Sequence, residues 1–350
     1  QTPASKGYLS EIIDRSGTTE YTRDSFGRVT QKRQTLVNGS LQQVSYEYSP
    51  NGLLQRTVYP GGSALTYIYE PSGRVSALHW NDAPLVTDIA WNPLGQPTRW
   101  TWAFASSTVP AHRAYDTAGR LVATEFSNYV YDAAGRITSL TQQLHGPGDA
   151  DPTQSTISLA PRTWTVGYNS VGRITGFDAA GDTAAFGYDA NGNRMSSLRD
   201  ANGLNTSRSY TVGPLSNQLT GFTQSINSAS STSVTYGYNA NGDLVSDGLR
   251  SYTYDAEGRL AASTTGATDV SPTTRYAHNA LGQRVFKTEP LYPPGQGDEA
   301  DPGFMQSLIA FFTKLWNPTA NQAEQLGYAY VYDENGTLIS EAGSGGANSA

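Results

Sequence analysis

Hydrophobic positions in this chain flank short polar turns. An aromatic residue precedes the turn and an aliphatic residue follows it, as in Tyr131-Asp132-Ala133-Ala134-Gly135-Arg136-Ile137. Near-identical copies begin at Tyr115 and Tyr254. The aromatic residue would end one β-strand, where it can pack across the strand pair, and the aliphatic residue would start the next strand. The pattern therefore predicts a β-hairpin whose tip lies at the polar residues.

The same pattern recurs along the chain. Looser copies share its spacing and begin at Tyr48, Tyr69, Trp91, Tyr168, Tyr188, Tyr238, His278 and Tyr332. One more copy has Arg23 in the aromatic position, and Phe177–Gly181 is interpreted as a decayed copy. Because an internal repeat determines the architecture of a chain, the repeat is the primary evidence for the fold.

The polar residues of each copy match a defined turn. A type I turn favours Asp, Asn or Ser at its first position and Gly at its fourth. The aspartates in the first position are Asp24, Asp116, Asp132, Asp189, Asp255 and Asp333. The fourth position holds Gly27, Gly52, Gly73, Gly95, Gly119, Gly135, Gly172, Gly192, Gly242, Gly258, Gly282 and Gly336. Since glycine adopts positive φ without steric cost, we predict a type I turn with a glycine bulge at each tip.

A second kind of turn is predicted between the repeats. Asn38-Gly39 and Asp247-Gly248 are typical of two-residue hairpin loops. Together the two kinds of turn predict an all-β fold, a long antiparallel meander of stacked hairpins.

One helix is expected within this β region. Asp301 can cap its first turn, Pro302 is tolerated at the first helical position, and Asn317-Pro318 ends it. Its apolar face would include Phe304, Leu308, Phe311, Phe312, Leu315 and Trp316. We interpret the helix, residues 302–316, as a cover for an open end of the β structure; the alternative is docking onto a partner or cargo. The repeat region is assigned to residues 1–342 and a Gly/Ser-rich tail to 343–350.

Composition narrows the function classes. The chain has 22 Tyr and 36 Gly, its net charge is −7, and Lys and Arg form no basic stripe, so nucleic acid is not an expected partner. Cysteine is absent, which excludes disulfides and thiolate metal sites. No apolar run is long enough for a membrane span. No metal, cofactor or catalytic motif is found, so we predict no cofactor and no enzyme activity.

Two groups of residues could still carry binding chemistry. Trp80, Trp91, Trp100 and Trp102 lie close in sequence, and cross-strand packing is favoured over stacking on sugars. Arg28, Arg74, Arg120, Arg136, Arg173 and Arg259 follow the turn glycine and could lie over neighbouring tyrosines as cation–π pairs. His278 occupies the aromatic position of its copy and is interpreted as structural.

The repeated Tyr-Asp-x-x-Gly-Arg-Leu/Ile motif resembles that of the YD-repeat, or Rhs, proteins. The resemblance covers roughly residues 20–342. This family includes bacterial polymorphic toxins, shell components of insecticidal toxin complexes, and teneurin ectodomains. The resemblance implies hairpins stacked into a curved or spiralling sheet that forms a hollow shell, which in toxin members encloses a C-terminal toxic domain. The Asp-Pro-x-Gly closing region of the family is not found, so we expect a stretch of shell.

We therefore expect a non-catalytic scaffold, a segment of a secreted or cell-surface bacterial shell. Its expected partners are a cargo domain or neighbouring copies of the chain, with carbohydrate or a cell surface as further candidates. The alternative is an extracellular fibre or adhesin that assembles through strand pairing. A carbohydrate-active enzyme would need two facing carboxylates, which a sequence cannot reveal.

Overall fold

The fold consists of β-strands joined by short turns. The structure, a computed structural model, describes residues 6–104, 107–143, 160–266, 271–288, 290 and 327–344. All regular secondary structure in these residues is β-strand, which confirms the predicted all-β class. The helix predicted at 302–316, with its apolar face, lies outside the described residues.

The chain divides into two compact units, residues 1–66 with 237–350 and residues 67–236. The first unit begins with β1 (Glu11–Asp14), β2 (Gly17–Arg23), β3 (Val29–Leu36), β4 (Leu41–Tyr48) and β5 (Leu54–Val58), and β6 (Ala64–Tyr69) continues into the second unit. The second unit contains β7 (Val75–Trp80), β8 (Ala83–Trp91), β9 (Pro97–Phe104), β10 (Ser107–Tyr115), β11 (Leu121–Thr124), β12 (Ser127–Tyr131), β13 (Ile137–Gln142), β14 (Arg162–Tyr168), β15 (Ile174–Ala179), β16 (Asp182–Tyr188), β17 (Arg194–Ala201), β18 (Leu204–Val212), β19 (Leu219–Ile226) and β20 (Thr232–Thr235). The first unit resumes with β21 (Gly237–Tyr238), β22 (Leu244–Ser246), β23 (Arg250–Tyr254), β24 (Leu260–Thr265), β25 (Thr273–His278), β26 (Arg284–Thr288), β27 (Gly327–Tyr332) and β28 (Leu338–Ser344).

Strands pair antiparallel with their neighbours in the chain. In the first unit, β1 to β6 pair in succession, and so do β21 to β28. In the second unit, β7 to β20 pair in succession. The predicted antiparallel meander is therefore confirmed in each unit.

Each repeat tip has the predicted turn geometry. The glycine N–H donates to the carbonyl of the first turn residue, as from Gly135 to Asp132 at 3.0 Å, and the same bond closes all the other tips. Every one of the repeat glycines has positive φ. The pairing register then shifts by one residue beside the turn, as between Val130 and Tyr131. These features define a type I turn with a glycine bulge.

The structure reveals one repeat turn that the sequence pattern did not identify. Between β18 and β19, Ser216 N–H donates to the Gly213 carbonyl at 3.2 Å, and Gly213 N–H donates to the Gln218 carbonyl. This loop occupies a repeat position but has Ser216 where other copies have glycine, and it is one residue longer. Because of the extra residue, Asn217, the sequence of this loop does not match the spacing of the motif.

The two-residue loops predicted at Asn38-Gly39 and Asp247-Gly248 do not form on those residues. Gly39 N–H donates to the Leu36 carbonyl, so this loop is another type I turn with a glycine bulge. The resulting register buries Leu36 and leaves Val37 exposed. At the second loop, Asp247 N–H donates to the Arg250 carbonyl at 3.2 Å, so the enclosed residues are Gly248 and Leu249, one position later than predicted. The Asp247 carboxylate accepts the N–H groups of Leu249 and Arg250 and stabilises this loop.

Two-residue loops do occur, at positions that the sequence analysis did not identify. Asn81-Asp82 and Asn202-Gly203 both have positive φ at each residue, and each connects directly paired strand ends. The interpretation of Phe177–Gly181 as a decayed repeat is also wrong. Ala179 pairs with Asp182, so this turn joins β15 to β16 at the end of the strands opposite the repeat turns.

The two units bury different kinds of side chain. The first unit has a small core in which Leu36 packs with Val285, Phe286 and Ala329. This cluster joins strands from both ends of the chain. In the described part of the second unit, the buried apolar side chains are Val86, Ala111, Ala179 and Ala184. Its larger side chains are only partly covered, so backbone pairing and lateral contacts must supply most of its stability.

Replacing Gly258 tests the turn geometry. This residue has a φ of 74°, and a Cβ built on it would have no neighbour within 4 Å, so the backbone conformation alone penalises a side chain. We expect Gly258→Ala to lower the free energy of unfolding by about 1–2 kcal/mol. Gly258→Asn should cost clearly less, because Asn tolerates positive φ. Urea unfolding followed by circular dichroism measures both, and equal losses for Ala and Asn would contradict this account.

Candidate functional site

The turn aspartate organises its own hairpin tip. One carboxylate oxygen of Asp132 accepts N–H groups from Ala134 and Arg136, at 2.9 and 3.0 Å. The other accepts Nε of Arg136 at 2.7 Å. Asp24 and Asp116 make the same set of bonds with Arg28 and Arg120. The pKa of Asp132 is lowered, first by the backbone N–H of Arg136 and then by its side chain.

The same arginine connects its turn to the next repeat. The guanidinium carbon of Arg136 lies 4.7 Å from the ring centre of Tyr168, and Arg120 lies 4.8 Å from that of Tyr131. Arg28 and Arg173 stack in this way on Tyr48 and Tyr188. The predicted cation–π pairs are confirmed at these repeats. Arg74, Arg120, Arg173 and Arg259 also donate to the backbone carbonyl that begins the next repeat turn.

The repeat aromatic residue forms a second connection, in the opposite direction. The Tyr131 hydroxyl donates to the Leu121 carbonyl at 2.6 Å, at the start of the hairpin's preceding strand. The equivalent bonds run from Tyr48 to Val29, Trp91 to Val75, Tyr115 to Pro97, Tyr168 to Ile137, Tyr188 to Ile174, Tyr254 to Leu244 and Tyr332 to Arg284. Each of these eight repeats is therefore bonded to the one before it through the polar tip of its aromatic ring.

This hydrogen bond was missed by the sequence analysis, although a signal for it exists. The aromatic position holds Tyr or Trp in most copies, His278 and Arg23 in the others, and never one of the chain's 10 Phe residues. All of these residue types can donate a hydrogen bond, whereas Phe cannot. The composition of this position therefore indicated a donor as well as an apolar ring.

The second unit presents two chemically different faces. Strand register places aromatic rings on one face, here called the aromatic face, which carries Trp100, Trp102, Trp164, Phe177, Phe186, Tyr210 and Phe222. Neighbouring rings are in contact, with centroids 6.4 Å apart for Phe177 and Phe186 and 6.2 Å for Tyr210 and Phe222. Lateral ring contacts thus link β15 to β16 and β18 to β19 on this face.

The opposite face of the second unit, here called the hydroxyl face, carries small polar side chains. Its members include Thr141, Thr163, Thr165, Ser196, Ser207, Ser209, Thr211, Thr223 and Ser233. The Thr141 and Thr163 hydroxyls are 2.8 Å apart, and those of Thr223 and Ser233 are 3.1 Å apart. This face is therefore polar but carries little charge.

The predicted tryptophan cluster forms only in part. Trp100 and Trp102 meet edge to face with centroids 6.4 Å apart, and the Arg113 guanidinium lies 4.7 Å from the Trp100 ring. Trp91 is a repeat aromatic whose Nε1 donates to the Val75 carbonyl. Trp80 lies at the end of β7 and is 41% exposed. The contact between Trp100 and Trp102 lies within β9, whereas those of Arg113 with Trp100 and of Trp91 with Val75 cross between strands, which is the kind of packing favoured from the sequence.

In the first unit, polar side chains join strands from the two ends of the chain. We call this contact the N–C junction. Lys32 Nζ donates to the Tyr332 carbonyl at 2.5 Å, and Gln34 Nε2 donates to the Tyr330 carbonyl at 3.2 Å. Arg23 pairs with Glu334, and Arg15 pairs with Asp255. Side chains rather than strand pairing hold β2 and β3 against the C-terminal strands.

Burial makes the N–C junction sensitive to protonation. The Lys32 side chain is 2% exposed. This burial lowers its pKa to about 8, against the opposing effect of the Asp333 and Glu334 carboxylates. Burial also raises the pKa of the Tyr46 hydroxyl, which has no hydrogen-bond partner among the described residues.

The described residues contain no group of His, Asp and Glu side chains arranged to hold a metal ion. His278 lies in the repeat aromatic position, where burial lowers its pKa. The described part of the chain contains no helix that is long and apolar enough to span a membrane. Phe304, Leu308, Phe311, Phe312, Leu315 and Trp316, predicted as an interaction surface, lie outside that part.

Comparison with known sequences identifies the repeat. The sequence model of the RHS Repeat family matches residues 168–206. Double-stranded DNA deaminase toxin A of Burkholderia cenocepacia (strain H111) is 30% identical over 139 residues. That alignment covers 39% of this chain and 8% of the toxin.

Comparison with solved structures identifies the fold. The Tc holotoxin pore of Photorhabdus luminescens aligns with a TM-score of 0.55 at 12% identity, over 96% of this chain and 17% of the matched chain. The TcdB2–TccC3 crystal structure aligns with a TM-score of 0.56 at 12% identity, over 98% of this chain and 18% of its own. The chain thus spans less than a fifth of the length of these proteins, and at this identity the likeness concerns the fold alone.

Removing the Tyr131 hydroxyl tests the bond between repeats. Tyr131→Phe keeps the ring under Arg120 but loses the bond to the Leu121 carbonyl, so we expect a loss of about 1 kcal/mol in the free energy of unfolding. Tyr131→Leu also loses the cation–π contact and should cost at least about 0.5 kcal/mol more. Tyr129→Phe, on the same strand, is the matched control and should have little effect. Urea unfolding measures all three, and equal effects of the two Phe variants would contradict the assigned role.

Lys32 should give the first unit a distinctive pH dependence. The pKa of Lys32 is about 8 in the folded protein and 10.5 for the free side chain, so between these values the unfolded chain holds more protons. Stability should therefore rise with pH in this window. From pH 8 to 9.5 we expect a gain of about 1.5 kcal/mol relative to Lys32→Met.

Chemical unfolding at closely spaced pH values measures this gain. Lys6→Met, which removes an exposed lysine, serves as the control and should retain the wild-type slope. The scan should end below pH 10, because burial raises the pKa of Tyr21 and Tyr46, and ionisation of these residues opposes folding at higher pH. A wild-type slope equal to that of Lys32→Met would contradict the lowered pKa of the buried lysine.

Proposed function

We propose, from the match of residues 168–206 to the RHS Repeat family and the recurrence of the same turn along the chain, that the protein is a non-catalytic structural scaffold, a segment of a wall that encloses or presents a toxin or other polypeptide cargo. The observation that carries this proposal is the pair of connections between repeats. The arginine of one turn stacks on the next tyrosine, and the tyrosine hydroxyl bonds back to the preceding strand. The polar groups of the motif thus serve to join hairpins into a continuous wall.

The chemistry of the motif supports a non-catalytic role. The turn carboxylates with lowered pKa values, such as Asp116 and Asp132, have hydrogen bonds to their own turn. Zinc-dependent deaminases bind their metal through cysteine as well as histidine, and this chain contains no cysteine. We therefore do not assign the deaminase activity in the name of the relative to these residues.

The proposed setting follows from the proteins that this chain resembles. Their names describe a toxin and toxin complexes. We therefore place the chain in a secreted or cell-surface bacterial protein, with a cargo domain as its partner. An extracellular fibre built by strand pairing between copies is the competing function, and carbohydrate or a cell surface would then be the partner.

Electron microscopy over a range of protein concentrations distinguishes the two functions. The wall proposal predicts discrete hollow particles or single curved strips whose size does not change with concentration, and strong resistance of the repeat region to protease. Light scattering on the same samples should give a constant mass. Filaments that lengthen as the concentration rises would overturn the wall in favour of the fibre.

A further inference from the structure

Arginines stack on the aromatic face of the second unit as well as in the repeat turns. Arg208 lies 5.0 Å from the ring centre of Phe222, and Arg194 lies 4.5 Å from that of Phe186. Arg162 lies 5.0 Å from the centre of the Trp164 ring. Arg208 Nε also donates to Gln224 Oε1 at 2.5 Å, so the other N–H groups of its guanidinium are the ones available for a carboxylate. Stacking on a ring reduces the side-chain entropy lost on binding.

The described part of the aromatic face has more positive than negative side chains. The carboxylates that pair with its arginines are Glu125, in the β11–β12 turn, which pairs with Arg113, and Asp182, on β16, which pairs with Arg162 and Arg199. No ion pair joins Arg194 or Arg208 to a described carboxylate. The Arg199 side chain remains 58% exposed despite its ion pair. This excess contrasts with the net charge of −7 for the whole chain.

Two of these arginines are close enough for one extended polypeptide to reach both. Arg194 and Arg208 lie on the neighbouring strands β17 and β18, and Arg208 pairs with Ser197, three residues along β17 from Arg194, so the two positions are roughly 10 Å apart. An extended peptide rises about 3.3 Å per residue, so about three residues would span them, whereas Arg162 lies at the other end of the strands, beside Asp182. Carboxylates at alternate positions could bond the guanidinium groups, while intervening apolar side chains contact the rings.

We propose that the aromatic face of the second unit binds extended, acidic polypeptide segments. The proposal rests on the proposed function, because it states which chemistry of cargo the wall would hold. A single-stranded nucleic acid is the less favoured ligand. Although bases stack on aromatic rings, binding along a phosphate backbone requires an electropositive path, and the second unit has no lysine and carries Asp182 and Glu125 on this face.

Binding of a labelled acidic peptide tests the proposal. The probe is a fluorescein-labelled peptide of about twelve residues in which Glu alternates with Phe or Ser, and fluorescence anisotropy measures its affinity for the full chain. We expect Arg194→Gln and Arg208→Gln each to weaken binding about three- to tenfold, the fold-change of a lost charge-assisted hydrogen bond. Salt should weaken wild-type binding.

Arg99→Gln is the matched control. Arg99 is also exposed, but it lies opposite His112 in the strand register, on the hydroxyl face. Its affinity should stay within about twofold of wild type. Arg208→Lys tests geometry separately from charge, and it should recover only part of the affinity. Thermal unfolding of every variant shows whether the fold is retained.

Three outcomes would overturn the proposal. The first is wild-type protein that fails to bind the acidic peptide. The second is equal weakening by Arg99→Gln and Arg208→Gln, which would indicate nonspecific attraction. The third is stronger binding of the lysine counterpart of the peptide, or of oligothymidylate, than of the acidic probe.

Electron microscopy of Arg194→Gln/Arg208→Gln separates this inference from the proposed function. If this variant forms discrete particles and the wild type does not bind the peptide, the wall proposal stands and only the assigned ligand is wrong. Concentration-dependent filaments would remove the wall itself, whatever the peptide affinity.

Discussion

The structure depends on the hydrogen bond from the repeat aromatic to the preceding strand. A two-stranded hairpin is marginally stable in water, and a single sheet has no second layer to bury its apolar side. The Tyr or Trp side chain offsets this low stability locally. Its ring covers apolar surface, and its polar group donates a hydrogen bond to a backbone carbonyl, as Tyr168 does to Ile137. The glycine bulge brings the ring over the strand, and the arginine covers its other surface.

The two units use this device to different degrees. The second unit combines it with backbone pairing and lateral ring contacts, since its buried apolar residues are few and small. The first unit adds a core and buries Lys32 and Gln34 between strands from the two ends of the chain. Such buried polar groups favour one arrangement over others more than they add stability, because desolvation offsets much of their bonding energy.

Local turn chemistry could be predicted from the sequence, whereas long-range pairing and register could not. The Asp-x-x-Gly motif was sufficient because each tip is closed by its own residues. The Asn-Gly dipeptide was not sufficient to predict a loop. Asn38-Gly39 and Asn202-Gly203 form different loops, because packing imposes a different register on the flanking strands. The alternating pattern of β3 predicts Lys32 as a surface residue. It is buried because β27, which carries Tyr332 300 residues further along the chain, packs against it. The aromatic face could have been deduced only with the register of β14 to β19.

The division of the chain also sets an order of folding. The second unit is one continuous stretch, so all its strands can pair as soon as they leave the ribosome. The first unit begins with β1 to β5 but completes its core with β26 and β27, so its early strands must wait until almost the whole chain has been made. During synthesis, the unpaired polar face of β3 is the part that needs protection from wrong partners. The lysine and glutamine at its centre discourage aggregation in that interval and become useful only when the C-terminal strands arrive.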